Sequence, residues 1–177
     1  MAEQALRDEL TGLHNRRYLR DFLEDTFAAA RTSGLPLSVV MLDVDHFKQV
    51  NDQHGHRVGD RVLQRLALAL TTCLQPGDLA VRHGGEEFII VLPGSDLAAA
   101  AHRAEVIRPA CTLAVPLRDA MVHVTISVGV ATLGAQVTDP DGLLELADSA
   151  LYEAKQAARD RVGVSGLSAR FFQPFRA

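Results

Sequence analysis

The positions of apolar residues divide the chain into strands and helices that alternate. Predominantly apolar runs at residues 37–42, 79–81 and 88–92 are typical of strands. The run at 88–92 is apolar on both faces, which predicts a central position in a sheet. Further strands are predicted at about residues 122–131, weakly at 112–115, and at a sheet edge over 161–164.

Stretches with a helical spacing of apolar positions lie between these strands. Three short polar residues, Asp45, Ser95 and Asp139, are predicted to cap the helices that follow them, because their side chains can accept a bond from a first-turn N–H. Residues 8–33 are predicted to be helical with an interruption near Gly12. The other predicted helices cover about residues 45–52, 60–74, 96–108 and 140–159.

The pair Gly84-Gly85 separates two predicted strands. Two glycines in this position favour a tight hairpin, because primed turns need a positive φ. The pair also lets another molecule approach the backbone closely. A hairpin makes part of the sheet antiparallel, so the sequence predicts an α/β layer of ferredoxin-like type.

Composition and charge limit the possible functions. The 177 residues suffice for one domain with a sizeable core, and 47% are hydrophobic. A formal charge of −4 argues against a broad DNA or RNA surface. Cys73 and Cys111 lie in apolar segments without a metal-binding spacing, which predicts reduced core thiols. Because the sequence shows no membrane-length apolar run and no signal peptide, it predicts a cytoplasmic protein.

Two pairs of acidic residues stand at the ends of predicted central strands. Asp43 and Asp45 close the first strand, and Glu86 and Glu87 open the strand after the glycine pair. Alone, the Gly-Gly-Glu-Glu segment is as typical of a turn with solvated acids, and Asp45 is explained as a helix cap. Asp43 has no such structural reason. Together the two pairs predict a divalent-metal site for phosphoryl chemistry.

Five segments resemble, in order, the GGDEF-domain diguanylate cyclases in the variant with Glu for Asp. They are residues 8–17 (DELTGLHNRR), 42–52 (LDVDHFK and ND), 84–88 (GGEEF), 125–131 (TISVGVA) and 150–155 (ALYEAK). The resemblance implies a five-stranded, mostly antiparallel sheet flanked by helices, as in polymerase palms. It also implies a catalytic domain over residues 6–164, after a linker remnant at 1–5 and before a tail at 165–177. The entry segment implies an upstream sensory or regulatory domain, although a purely stabilising N-terminal helix explains it equally well.

Asp43 and Glu86 are the candidate metal ligands, and the resemblance adds the carbonyl of Val44. Hard oxygen ligands suit Mg²⁺ or Mn²⁺, and the family implies two ions per site. The resemblance also implies that Glu86 acts as the base. Lys48, otherwise a surface lysine, would stabilise charge in the transition state.

Substrate contacts are expected from two further groups. Lys155 and Arg159, at a spacing of i and i+4, are predicted to share a helix face and bind a triphosphate, although both could merely complement the helix C-terminus. At two neighbouring positions, Ala158 and Asp160 replace the Gly and Asn usual in the family. The resemblance implies base recognition by Asn51, His56 and Asp60 and substrate contact by Gly84 and Gly85. An aspartate can accept from the adjacent N1–H and N2–H₂ of guanine, a donor pair that adenine lacks, which favours GTP.

These assignments predict a diguanylate cyclase that joins two GTP into cyclic di-GMP and releases two pyrophosphates. Each domain holds one GTP, so a homodimer is needed. Two alternatives remain open: a GTP-binding sensor or docking module without turnover, and a cyclase using ATP, which Asp60 disfavours. Many relatives carry Arg-x-x-Asp at an inhibitory product site. Gln75 stands in place of that arginine while Asp78 is present, so we expect this site to be degenerate.

Overall fold

A mixed sheet forms the centre of the computed structural model, which describes residues 4–166. The strands are β1 (His14–Asn15), β2 (Leu37–Val44), β3 (Leu79–Arg82), β4 (Glu87–Pro93), β5 (Leu113–Pro116), β6 (Met121–Val124), β7 (Ile126–Thr132) and β8 (Val162–Val164). Six of them form one sheet in the order β1-β3-β4-β2-β7-β8, and β5 pairs with β6 in a separate hairpin. The β3-β4, β4-β2 and β2-β7 pairs are antiparallel, whereas the two edge pairs are parallel.

Five α-helices cover the two faces of this sheet. They are α1 (Arg16–Ser33), α2 (Phe47–His54), α3 (His56–Cys73), α4 (Leu97–Ala110) and α5 (Pro140–Gln156). Alternate residues of β2 point to opposite faces: Val40 and Leu42 pack with α2, α3 and α4, whereas Val39 and Met41 pack with α1 and α5. All eight residues of β2 are buried, as expected for a strand covered on both faces.

The predicted fold class is confirmed, and the sheet has one strand more than expected. The additional strand is the two-residue β1, which pairs with β3. A strand this short has no apolar alternation that the sequence could show. The edge strand expected at 161–164 is present as β8.

Several helix boundaries differ from the prediction. No helix covers residues 8–15; a turn with Gly12 at φ 73° precedes α1, which Asn15 caps. Asp45 does not cap α2, because its carboxylate is bonded elsewhere; the cap position is His46, with φ 57°. Asp96, not Ser95, caps α4, and that helix continues through Pro109, which stands in the last turn and removes only one of its bonds. Asp139 caps α5 as predicted.

Two further expectations are corrected. The strand expected at 122–131 is interrupted at Thr125, because β6 pairs with β5 while β7 joins the main sheet. Cys111 is buried but Cys73 only partly so, and both thiols are free. Most of the tail at 165–177 lies outside the described residues. Within residues 4–166, no helix combines the length and apolar character needed to cross a membrane.

Candidate active site

The ends of β2 and β4 bring the two predicted acidic pairs together. Asp43 is 6% exposed and is paired in register with Glu87 of β4. The N–H of Val44 donates to the carbonyl of Glu86 at 3.3 Å, so the residues before β4 continue alongside the end of β2. Burial raises the pKa of Asp43 despite the nearby Lys155, and burial together with the charge of Asp43 raises the pKa of Glu86. The two carboxylates are therefore electrostatically coupled.

Lys155, near the end of α5, forms an ion pair with Asp43. Lys155 Nζ is 2.9 Å from Asp43 Oδ2. Lys155 reaches this position because α5 packs very closely on the sheet: a Cβ at Gly129 of β7 would collide with the backbone of Ala147 and Leu151. Glycine at that position therefore sets the distance between the helix and the strand.

The donor set at the strand ends fits a hard divalent cation. Among residues 4–166, no three His, Cys, Asp or Glu side chains are grouped so that they could hold a metal. The candidate donors are therefore two carboxylates, Asp43 and Glu86, and the backbone carbonyl of Val44. Few carboxylates completed by substrate phosphates are typical of Mg²⁺. A bound cation would also offset the burial and the neighbouring negative charges that raise the two pKa values.

Asp45 ties three parts of the chain together. It is 4% exposed, and its carboxylate accepts bonds from Thr125 Oγ1 at 2.6 Å, from Ser127 Oγ at 2.7 Å and from the N–H of Asp160 at 3.1 Å. Its own N–H donates to the carbonyl of Thr125. Asp45 thus links the end of β2 with β7 and with the turn after α5, which is why it is not available as a helix cap.

Arg159 lies in that turn and not on α5. The helix ends at Gln156, and Ala158, Arg159 and Asp160 follow with φ of 91°, 60° and 44°. The prediction that Lys155 and Arg159 share a helix face is therefore wrong. Left-handed non-glycine residues cost roughly 1–3 kcal/mol each and persist where surrounding contacts hold them. The family's usual Gly and Asn would adopt this turn with less strain.

The Gly84-Gly85 loop differs from the predicted primed turn. The hairpin of β3 and β4 is present, but neither glycine has a positive φ. Four residues connect the strands, and the N–H groups of His83 and Gly84 both donate to the carbonyl of Glu87. A Cβ at Gly84 would lie 2.5 Å from Glu87 Oε2, so a larger residue there would require the Glu87 side chain to move. The backbone of Gly85 is open, since nothing lies within 4 Å of its Cβ position.

Arg82 connects this loop to the N-terminal turn. Its guanidinium donates to both carboxylate oxygens of Asp8 at 3.1 Å and to the carbonyl of Gly85 at 2.8 Å. Asp8 also accepts from the N–H and hydroxyl of Thr11. Arg82 therefore bridges the first and third of the resembling segments.

The candidate base-recognition residues surround the junction of α2 and α3. Asn51 Oδ1 is buried without a hydrogen-bond partner, and Gly59 packs so closely that a Cβ there would collide with this oxygen. His56 and Asp60 lie on the first turns of α3 and are exposed. The three residues thus lie at the same junction of two helices, and one buried polar atom there has no protein partner.

Lys48 is separate from the acidic pair in this structure. Its side chain is 87% exposed and forms an ion pair with Asp52 at 2.9 Å. This bond raises the pKa of Lys48. The described contacts do not bring Lys48 to Asp43 or Glu86.

Asp78, the remaining acid of the expected inhibitory site, is already engaged. Arg103 of α4 forms a two-pronged ion pair with it, with N–O distances of 2.5 and 3.1 Å. Asp78 Oδ2 also accepts from the N–H of Gln75 at 2.6 Å. Arg103 is a residue that sequence reasoning missed, because nothing in the alanine-rich pattern of α4 indicates its partner.

Two hydroxyl residues were also missed, although the sequence contained a signal. Thr125 and Ser127 are two positions apart in a segment predicted as a strand, a spacing that puts both side chains on one face. Only the tertiary structure shows that Asp45 is their common acceptor.

A cavity of about 500 Å³ lies away from the predicted site. It is situated between α1 and the beginning of α5 and is lined by Arg16, Arg20, His83 and Asp141, among others. None of the predicted metal or substrate residues lines it.

Comparisons with known proteins agree with this geometry. Residues 5–161 match the family described as "Diguanylate cyclase, GGDEF domain". The response regulator PleD of Caulobacter vibrioides is 40% identical over 163 residues, which are 90% of this chain and 36% of PleD. The chain thus spans about a third of the length of that relative.

Solved structures show the same fold. The coiled coil and GGDEF domain of DgcB from Caulobacter crescentus, in complex with c-di-GMP, has a TM-score of 0.87 at 31% identity, covering 93% of this chain and 87% of that one. The active GGEEF domain of a diguanylate cyclase from Vibrio cholerae has a TM-score of 0.80 at 36% identity, covering 85% and 96%. The matching family, the palm-like sheet and the acidic strand ends lead to one conclusion: the chain belongs to the GGDEF-domain family.

Proposed function

We propose that this protein is a diguanylate cyclase that condenses two GTP into cyclic di-GMP and releases two pyrophosphates. The observation that carries the proposal is the group of Asp43, Glu86 and Lys155 at the ends of the central strands, with Lys155 Nζ 2.9 Å from Asp43. Coupled carboxylates beside a cation suit the binding of a metal–triphosphate complex. The relatives named as diguanylate cyclases support the same activity.

The catalytic domain is proposed to cover residues 6–164, with residues 1–5 as linker and 165–177 as tail. The family match at 5–161 supports these limits. We further propose that regulatory input reaches the site through the N-terminal turn. The contact of Asp8 with Arg82, and of Arg82 with Gly85, offers a direct route to the signature loop.

The metal would be held by Asp43, Glu86 and the carbonyl of Val44, as Mg²⁺ or Mn²⁺ and with two ions per site. When bound, it supplies positive charge that polarises the α-phosphate and acidifies the ribose 3′-hydroxyl. Glu86 is positioned to accept the proton of that hydroxyl. Carboxylates are among the side chains that serve as general bases in such proton transfers.

Phosphate and base contacts complete the proposed site. Lys155 and Arg159 bind the triphosphate from the end of α5 and the following turn. The Gly84-Gly85 loop contacts it beside β4, where the backbone of Gly85 is open. Lys48 stabilises the charge of the transition state after leaving its exposed pair with Asp52. Asn51, His56 and Asp60 recognise guanine, and the unpaired Asn51 Oδ1 supports this role, since a purine amine can satisfy it.

Catalysis requires two copies of the domain. Each holds one GTP, and each 3′-hydroxyl attacks the α-phosphate of the other nucleotide, which makes positioning across a homodimer the main contribution of the protein.

The proposal is tested by incubating the protein with Mg²⁺ or Mn²⁺ and either GTP or ATP, and by identifying the products by mass spectrometry. We expect cyclic di-GMP and pyrophosphate from GTP and no cyclic product from ATP. Tight GTP binding without product would instead indicate a nucleotide-binding module, and a cyclic product from ATP would contradict the assigned role of Asp60.

A further inference from the structure

The strained turn after α5 is held from two sides. On one side, Asp45 accepts the N–H of Asp160 at 3.1 Å. On the other, Arg108 of α4 donates from its guanidinium to Asp160 Oδ1 at 2.6 Å. The sequence separations are 115 and 52 residues, so the turn is fixed by distant parts of the fold.

Arg108 is itself held in place. Its Nε donates to Glu105 Oε2 at 3.2 Å, one helical turn earlier on α4. Burial alone would lower the pKa of Arg108, but the bonds to Asp160 and Glu105 outweigh it and raise the pKa. A guanidinium between two carboxylates is a fixed positive charge.

The negative charge of Asp160 links its contact with Arg108 to the proposed phosphate site. Asp160 directly follows Arg159, so a negative carboxylate stands next to a cation that is assigned to a triphosphate. Without a partner, that carboxylate would repel the phosphates and pair with the neighbouring cations. Its bond to Arg108 directs the carboxylate toward α4 and offsets its charge.

We propose that Arg108 is a positioning residue for the triphosphate: by binding Asp160, it neutralises the carboxylate and fixes the strained turn that presents Arg159. This inference rests on the proposed function, because it assumes that Arg159 contacts the triphosphate. It adds α4 to the elements that determine phosphate affinity.

The test measures binding of 3′-deoxy-GTP, which lacks the attacking hydroxyl, and of guanosine, by calorimetry with Mg²⁺. We expect Arg108→Ala to weaken binding of the triphosphate about tenfold while changing guanosine binding little. In the Arg108→Ala background, Asp160→Asn removes the unneutralised charge but keeps the N–H that Asp45 accepts, so it should restore most of the affinity. Glu105→Gln is the matched control: it removes the charge of the other partner of Arg108 but keeps an oxygen that can accept from Nε, so Arg108 stays in place and triphosphate affinity should be unchanged.

Two further variants separate this inference from the proposed function. Arg159→Ala should weaken triphosphate binding. Adding Arg108→Ala to it should weaken binding less than Arg108→Ala does in the wild type, because the part that acts through Arg159 is already lost and only repulsion by the Asp160 carboxylate remains. If Arg159→Ala weakens binding but Arg108→Ala does not, the role of Arg108 is refuted while the proposed function stands. If Arg108→Ala weakens guanosine and triphosphate binding equally and Asp160→Asn does not rescue it, the contact is merely structural. If Arg159→Ala has no effect, the phosphate assignment and this inference are both refuted.

Discussion

In the described part of the chain, no structural role, such as capping a helix, explains why the carboxylate of Asp43 is buried. A buried acid is expensive unless it is paired, and here its direct partner is Lys155, a residue that is itself assigned to the substrate. The neighbouring charges of Glu87 and Asp45 raise its pKa further. A bound cation would stabilise the ionised form of this buried carboxylate and reduce the repulsion from its acidic neighbours.

We therefore expect Asp43→Asn or Glu86→Gln to lower cyclic di-GMP formation at least roughly 100-fold at saturating Mg²⁺. Each change removes a charge with little change in volume, so the thermal unfolding midpoint should stay close to that of the wild type. The exposed Glu145→Gln on α5 serves as the control and should retain activity. Near-normal turnover in either site variant would refute the metal-site assignment.

At the scale of elements, the N-terminal turn and the signature hairpin behave as one unit. Burial raises the pKa of Asp8, but the bonds from Thr11 and Arg82 outweigh it and hold the pKa below its usual value. A pKa that is lower in the folded than in the unfolded state contributes stability above the unfolded value, and this stability is lost as the pH falls through the folded value. The contact of Asp8 with Thr11 and Arg82 is thus expected to stabilise the fold less at acidic pH.

Asp8→Asn is accordingly expected to lower the unfolding midpoint at pH 7, with a difference from the wild type that shrinks below about pH 4, where the unfolded Asp8 becomes protonated. Circular dichroism melts at pH 7, 5 and 3.5 measure this. A difference that stays constant over that range would show that the ionised form of Asp8 does not carry the stabilisation.

At the scale of the whole molecule, residues 4–166 carry one set of the proposed site residues, so the proposed reaction requires an encounter between two copies. We expect specific activity to rise with protein concentration, since the sequence has no obvious coiled-coil heptads that would hold two domains together. Initial rates measured over a dilution series to nanomolar protein test this. Turnover per domain that stays constant throughout the series would argue against an encounter-limited dimer.

The expected inhibitory site also involves residues from distant parts of the fold. With Gln75 in place of an arginine and Asp78 bonded to Arg103, the expected inhibitory site lacks one guanidinium and offers no free carboxylate. Losing one charged contact weakens binding by roughly tenfold to a hundredfold. We predict little inhibition through this site, measured by calorimetric titration of cyclic di-GMP. Low-micromolar binding that disappears in Asp78→Ala would reveal a working site.

The sequence alone determined the features that depend on local pattern. Apolar runs and their alternation predicted the central strands, the hairpin and the fold class. The spacing of apolar residues indicates whether one face or both faces of a strand are buried. The acidic pairs at the strand ends were found because chain position and residue type suffice to place them at one edge of the sheet.

Tertiary structure decided the features that depend on contacts between distant segments. Asp45 was predicted as a cap from its neighbours, yet its bonds go to β7 and to Asp160, which only the fold brings near. Arg159 was placed on a helix by its spacing, but α5 ends at Gln156, where the strained turn is held by distant partners. Local propensity differs little between such alternatives, so long-range hydrogen bonds and ion pairs determine which one forms.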